Sequence, residues 1–227
     1  MATARGGGLA WAFALWTAVA FLFLFLAVFA AFYDRFPADE RIAHALQGVD
    51  LPALGGLFDF TNKLGDALFY IPLVVLLAVA FAASRAWLEA FLLLLVLLPR
   101  ALNSGLKDLI GRPRPSADLL RVTGDSSDAS FPSGHAVGIT ALFGLLFFLL
   151  PAVVPWRPLR WLLQAGCLLL VVAVGPARVY TGVHWPSDVL GGYLLALLFL
   201  LPAVMLYRAV RTSKAASEAG GRAQSGS

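Results

Sequence analysis

Charge and cysteine are what this chain has little of. Only 13% of its residues are charged while 60% are hydrophobic, and a mean hydropathy of +0.82 is far too high for a soluble domain of 227 residues. Such a chain must live in lipid. The single cysteine, Cys167, lies inside an apolar run, which excludes a disulfide framework and a thiolate metal site. No internal repeat, heptad array or nucleotide-binding glycine loop occurs. The net charge of +4 is no sign of a nucleic-acid partner, because the basic residues gather in a few loops and in a C-terminal segment (Arg208, Arg211, Lys214, Arg222) that reads as a cytoplasmic anchor.

What the chain does have is long apolar runs. Six stretches, at about 9–32, 67–84, 87–105, 134–154, 159–176 and 188–208, approach the roughly 20 residues that cross a bilayer. The first is too long for the apolar region of a signal peptide and no clear A-x-A site follows, so it is expected to stay as a span. The third is interrupted by Glu89, Pro99 and Arg100. Residues 33–65 are polar enough to lie outside the membrane, with Ile42, Leu46, Leu54, Leu57 and Phe58 letting part of them rest on the interface as a short amphipathic helix. The expected fold is all-α: a six-transmembrane helix bundle over residues 1–210, with 211–227 as a flexible cytoplasmic tail.

An even number of spans puts both termini on one side and the loops after spans one, three and five on the other. The counts of Lys and Arg on the two sides are nearly equal. The short connections at Arg85 and at Arg157 with Arg160 carry only positive charge, however, which favours cytoplasmic termini and an opposite, extracytoplasmic face for the loops that follow.

Those loops hold three segments: KDLIGRPRP (107–115), FPSGH (131–135) and ARVYTGVHWPSD (177–188). They place Lys107, Arg114, Ser133, Gly134, His135, Arg178, His184 and Asp188 at the ends of apolar spans, where charge is otherwise scarce. Three cations with two imidazoles make a receptacle for a phosphate dianion, through charge-assisted hydrogen bonds. Lys107 and Arg114 are about two helical turns apart, but Pro113 and Pro115 argue for a stiff loop instead. Ser133 reads as the N-cap of span four, whose first-turn N–H groups would face an anion, and Gly134 allows it to come close. His184 and Asp188 share a face if the turn between them is helical, so the carboxylate would hold one imidazole nitrogen and leave the other free to attack. Each segment alone also has a bland reading as interfacial charge or capping; the three together read as phosphoryl chemistry at a membrane.

These residues resemble the type 2 phosphatidic acid phosphatase superfamily, whose signature is Lys, six residues, Arg-Pro, then Pro-Ser-Gly-His, then Ser-Arg, five residues, His, three residues, Asp. The chain matches at Lys107, Arg114 and Pro115, at Pro132 to His135, and at Arg178, His184 and Asp188, and departs at Ala177, where the family often has serine. The resemblance implies that His184 is the nucleophile forming a phosphohistidine, that Asp188 orients it, and that His135 protonates the leaving group. Lys107, Arg114, Ser133, Gly134 and Arg178 would hold the phosphoryl oxygens. It implies no metal and no cofactor, and the lone Asp188 beside the histidines is a poor ligand set for a divalent ion.

Sites at helix ends put the reacting phosphate at headgroup depth, so the expected partner is a lipid phosphate or polyprenyl diphosphate, with membrane lipids around it, in a bacterial inner membrane. Three other readings use the same residues: a lipid phosphotransferase, a non-catalytic lipid-phosphate binding or transport protein, and a vanadate-dependent haloperoxidase, against which the apolar composition argues.

Overall fold

The computed structural model describes residues 2–49, 52–124 and 128–225. Within them all regular structure is helical: α1 (Ala2–Phe32), α2 (Asp39–Gln47), α3 (Pro52–Gly65), α4 (Ala67–Ala83), α5 (Trp87–Leu95), α6 (Leu97–Ile110), α7 (Gly134–Leu149), α8 (Arg157–Tyr180) and α9 (Pro186–Ser225). Five helical stretches are long and apolar enough to cross a membrane: 10–32, 87–110, 134–152, 157–180 and 186–213. A sixth span results if α3 and α4, bent by 74° about Asp66, count as one. The all-helical membrane protein expected from the apolar runs is present, with five spans, or six if the bent pair, of which α4 alone was expected to span, is counted as one.

Helix α7 is the axis. Two thirds of its span is buried (67%), against 17% for α1, because α7 packs on α6, α8 and α9 while α1 leans mainly on α9 and turns most of its surface to lipid. Its apolar residues therefore run all round, as a fully enclosed helix requires. The core beneath the site is built on Leu142, Leu145, Leu146 and Leu149 of α7 with Tyr70, Val74, Leu92 and Leu93 of α4 and α5. Each fully buried Leu of this kind stabilises by roughly 1.5–3 kcal/mol relative to the exposed state in water. In lipid that gain comes instead from packing and interhelical hydrogen bonds.

Several boundaries differ from expectation for physical reasons. The third span continues to Ile110 rather than ending at 105, because Asn103 and Lys107 face the protein interior and need no water; it breaks only briefly at Val96. Gly111, in the left-handed region at φ 66°, then caps α6 through its N–H on Lys107 O. Residues 33–65 do not simply rest on the interface. They form two helices, and α3 packs against α7 and α8, with Phe58 buried against Tyr180. The last helix runs to Ser225, well past 208 and through most of the stretch expected to be a flexible tail; residues 226 and 227 lie outside the described residues.

Candidate active site

The chain enters the site from three directions, and prolines and glycines set each approach. After Gly111, Arg112 and Arg114 each precede a proline, which biases both toward extended backbone and ends the helix. Lys107 and Arg114 are therefore not brought together by one helical face. The returning loop joins them: Asp128 reaches Lys107 Nζ at 2.6 Å and Arg114 NH2 at 2.6 Å, and Lys107 Nζ also donates to Ala129 O at 2.6 Å. From the other side, Gly182 at φ 72° turns the chain between α8 and His184; a Cβ there would strike the Arg121 carbonyl.

The turn carrying His184 is not helical, contrary to expectation. α9 starts at Pro186, a proline in the first helical position, and Asp188 reaches back so that Trp185 N–H donates to its Oδ2 at 2.8 Å, the acidic half of a capping box. This places Asp188 Oδ2 3.5 Å from His184 Nδ1, longer than a hydrogen bond, and Nδ1 has no other partner among the described residues. Asp188 is itself held by groups the sequence reading missed. Arg112 NH1 donates to its Oδ1 at 2.6 Å and to Ser187 Oγ at 2.8 Å, and Ser130 Oγ donates to Oδ2. Arg112 NH2 pairs with Asp39 at 2.8 Å, and Asp39 accepts the Ser187 N–H and hydroxyl. Arg112 is 1% exposed and Asp188 0%. The start of α9 is thus clamped to α2 and to the α6–α7 loop by one guanidinium between two carboxylates.

His184 itself is 1% exposed. Its Nε2 faces Arg114 NH1 at 3.3 Å. Arginine can only donate, so Nε2 accepts, and the proton belongs on Nδ1, beside Asp188. Burial, and then the nearby cations Arg178, Arg114 and Lys107, push the imidazole well below its ordinary pKa, so it is neutral at physiological pH. A neutral ring with the Nε2 lone pair aimed among cations is suited to attack an electrophile that those cations bind.

His135 sits on the first turn of α7 against the bend of the α3–α4 pair, where its Nε2 lies 3.0 Å from Asn62 O and 3.1 Å from Asp66 Oδ1. Two acceptors at one nitrogen require a proton there. Gly65 makes the approach possible, since a Cβ at that position would overlap the His135 ring. Asn62 also accepts from Arg178 NH1 at 3.0 Å, so α3, expected to rest on the interface, supports two residues of the site.

Lys107, Arg114, Gly134, His135, Arg178 and His184 all line one polar cavity of about 170 Å³, together with Arg100, Asn103, Ser104 and Asp128. Ser133 does not line it. It occupies the N-cap position of α7, but its hydroxyl makes no cap bond and is buried without a partner among the described residues, while its N–H ties α7 to Asp188 O at 3.0 Å. Asp128 was also missed from sequence. Burial opposes its charge, but its bonds to Lys107 and Arg114 outweigh this and hold the carboxyl at about 2, ionised throughout the neutral range.

The chain is similar to known proteins over most of its length. The PAP2 superfamily model matches residues 88–212, which contain all three motif segments. Phosphatidylglycerophosphatase B of Bacillus subtilis is 34% identical over 185 residues, covering 78% of this chain and 88% of that protein. An undecaprenyl-diphosphatase of Sulfolobus acidocaldarius is 30% identical over 148 residues, 64% of this chain and 66% of that one. The crystal structure of a transmembrane PAP2-type phosphatidylglycerolphosphate phosphatase from Bacillus subtilis superposes with a TM-score of 0.72 at 28% identity, covering 86% of this chain and 96% of the other. The chain belongs to the PAP2 superfamily and is an integral membrane phosphatase of that family.

Proposed function

We propose that the protein hydrolyses a lipid phosphate or diphosphate through a phosphohistidine on His184, with no metal. The observation that carries this reading is the His184 ring: neutral, buried, backed by Asp188, and with Nε2 in a cavity lined by Lys107, Arg114 and Arg178. In the first step the Nε2 lone pair forms a bond to phosphorus, the bond from phosphorus to the leaving oxygen breaks, and that oxygen takes a proton from His135. In the second, water gives its proton back to His135 and attacks phosphorus; the P–N bond breaks and its electron pair returns to Nε2. The three cations, with the free N–H groups at the start of α7, stabilise charge on the non-bridging oxygens. Among the described residues no group of three or more His, Cys, Asp or Glu side chains is placed to hold a metal ion.

Lipid substrates are supported by the second cavity, about 360 Å³ and apolar, between α5, α6, α7 and α9. Its wall includes Pro99 and Ala141, the first adjacent to Arg100 and the second two turns from Gly134, so it lies just below the polar cavity in the hydrocarbon layer. The names of the relatives, which act on phosphatidylglycerophosphate and undecaprenyl diphosphate, point the same way.

The testing experiment measures phosphate release by purified protein in detergent with EDTA present, using a lipid phosphate and an activated aryl phosphate. Release from both is expected, with inhibition by vanadate. For His135→Ala the loss should be about 100-fold to 10,000-fold on the lipid, whose alkoxide needs a proton, and far smaller on the aryl ester. Activity that requires added magnesium, or equal losses on both substrates, would contradict the mechanism.

Asp128 bears on affinity. Its carboxylate sits across Lys107 and Arg114, the cations that phosphate needs, so bound phosphate must displace it. Half-exposed ion pairs are worth under about 1 kcal/mol each, so Asp128→Asn should tighten inhibition by inorganic phosphate about threefold to tenfold. Unchanged or weaker inhibition would mean the carboxylate does not compete.

The purely basic connections at Arg85 and at Arg157 with Arg160, on the face away from the cavity, support cytoplasmic termini and a site open to the extracytoplasmic side. Single cysteines at Ser116 and Ser217, in a Cys167→Ala background, test this in intact cells: an impermeant thiol reagent should label 116, and labelling only at 217 would reverse the orientation.

A further inference from the structure

Arg100, like Arg178 and unlike the buried Arg112, has no carboxylate partner among the described residues. It lies seven residues before Lys107 on α6, hence on the same face and about 10 Å further into the membrane. Its NH1 donates to Gly134 O at 2.9 Å and its guanidinium covers the Tyr70 ring at 5.0 Å from the centroid. Gly138 leaves room for this; a Cβ there would lie 3.1 Å from NH1. Arg112 sits between two carboxylates, and Lys107 and Arg114 share Asp128, but among the described residues no carboxylate oxygen lies within 4.0 Å of Arg100. Asp66, the acid closest by on the α3–α4 bend, is paired with His135. A cation held at this depth without a counter-charge is costly.

One turn above it, between Arg100 and Lys107, Asn103 also lines the polar cavity. It is 4% exposed, and its carboxamide oxygen is buried with no partner among the described residues. A half-turn of that carboxamide would present its NH2 at the same point. The cavity wall along α6 therefore runs Lys107, Asn103, Arg100 from the nucleophile end inward, and His135, the residue after Gly134, stands beside the deeper end.

Resting on the phosphatase reading above, we propose that Arg100 and Asn103 form a subsite for a second phosphoryl group on the leaving-group side, making this enzyme selective for lipid diphosphates over lipid monophosphates. When the terminal phosphoryl passes to His184, the bond to the bridging oxygen breaks and the departing lipid monophosphate gains negative charge. A guanidinium waiting there stabilises that charge more in the transition state than in the bound substrate, which raises turnover as well as affinity. A monophosphate ester releases an alkoxide that His135 protonates, and has no anion to offer Arg100.

The test is the ratio of kcat/KM for farnesyl diphosphate to that for farnesyl monophosphate, measured for wild type, Arg100→Gln and Asn103→Ala in detergent. Wild type should prefer the diphosphate. Arg100→Gln should lower the ratio by about 100-fold, as removal of a single charge-stabilising donor does elsewhere, and Asn103→Ala should lower it by a smaller factor. Arg100→Lys should recover part of the ratio. A ratio unchanged within about threefold in Arg100→Gln, with both substrates losing equally, would show that Arg100 only bolts α6 to α7 and would overturn the subsite. If phosphatidylglycerol phosphate, whose second anion lies across a glycerol, loses as much as the diphosphate, the selectivity for adjacent phosphoryl groups is refuted. Failure of the wild type on every lipid phosphate would instead remove the phosphatase reading on which the subsite depends.

Discussion

His184→Ala should abolish phosphate release, by about ten-thousandfold or more, while the protein still folds. The size follows from the ring's role: with Nε2 gone no nitrogen takes its place beside Arg114, since Lys107, Arg114 and Arg178 are cations and His135 turns its Nε2 to Asn62 O and Asp66 instead. Removing a nucleophile that works as part of a unit costs nearly all that the unit supplies. Folding should survive because Asp188 keeps its partners, Arg112, Ser130 and the Trp185 N–H. The check is steady-state release alongside a melting curve in detergent. More than a few percent of wild-type activity in a well-folded His184→Ala would remove the residue from the nucleophile's role.

Arg112→Leu is expected to strike stability and activity together. The guanidinium is the only cation bonded to Asp39 and Asp188 among the described residues, and both carboxylates are buried. Its loss leaves two unpaired carboxylates in a dry region, for which about 3–5 kcal/mol is typical. For a chain of this size that corresponds to a fall in melting temperature of roughly 10 °C or more. Arg112→Lys should not rescue it, because one ammonium lacks the fork that spans two carboxylates and Ser187. Adding Asp39→Asn to Arg112→Leu removes one of the stranded charges and should raise the melting temperature of the single variant. A melt of Arg112→Leu indistinguishable from wild type would mean the clamp is not holding α9 to α2.

Much of the cavity could be read from the chain because charge within apolar runs is rare enough to be informative. Lys107, Arg114, His135, Arg178 and His184 stood out for that reason, and with Gly134 all line the same space. Arg112 did not stand out. It sits two residues from Arg114 in an Arg-Pro-Arg-Pro run, and only its burial against Asp39, 73 residues away, distinguishes the structural arginine from the one in the cavity. Arg100 was visible only as a blemish in a hydrophobic span, although its spacing of seven from Lys107 places both on one helical face. The contribution of Asn62, and of Asp66 just after it, was hidden because residues 33–65 look polar enough to lie outside the membrane, whereas Phe58 and its helix pack onto α8. The i, i+4 argument for His184 and Asp188 brought the right pair together by the wrong route: the chain turns and bends without becoming helical until Pro186, and a capping bond to Trp185 does what helical spacing was expected to do.

The central claim is a covalent bond between His184 and phosphorus, and trapping it is the most direct measurement. Protein mixed with a lipid diphosphate in excess, quenched within milliseconds into alkali to preserve a P–N bond, and digested for peptide mass spectrometry should carry one phosphoryl group on His184. The modification should be absent from His184→Ala and should accumulate when water attack is slowed. Phosphate released at the wild-type rate with no phosphorylated histidine at any quench time, or with the group on His135, would contradict the mechanism.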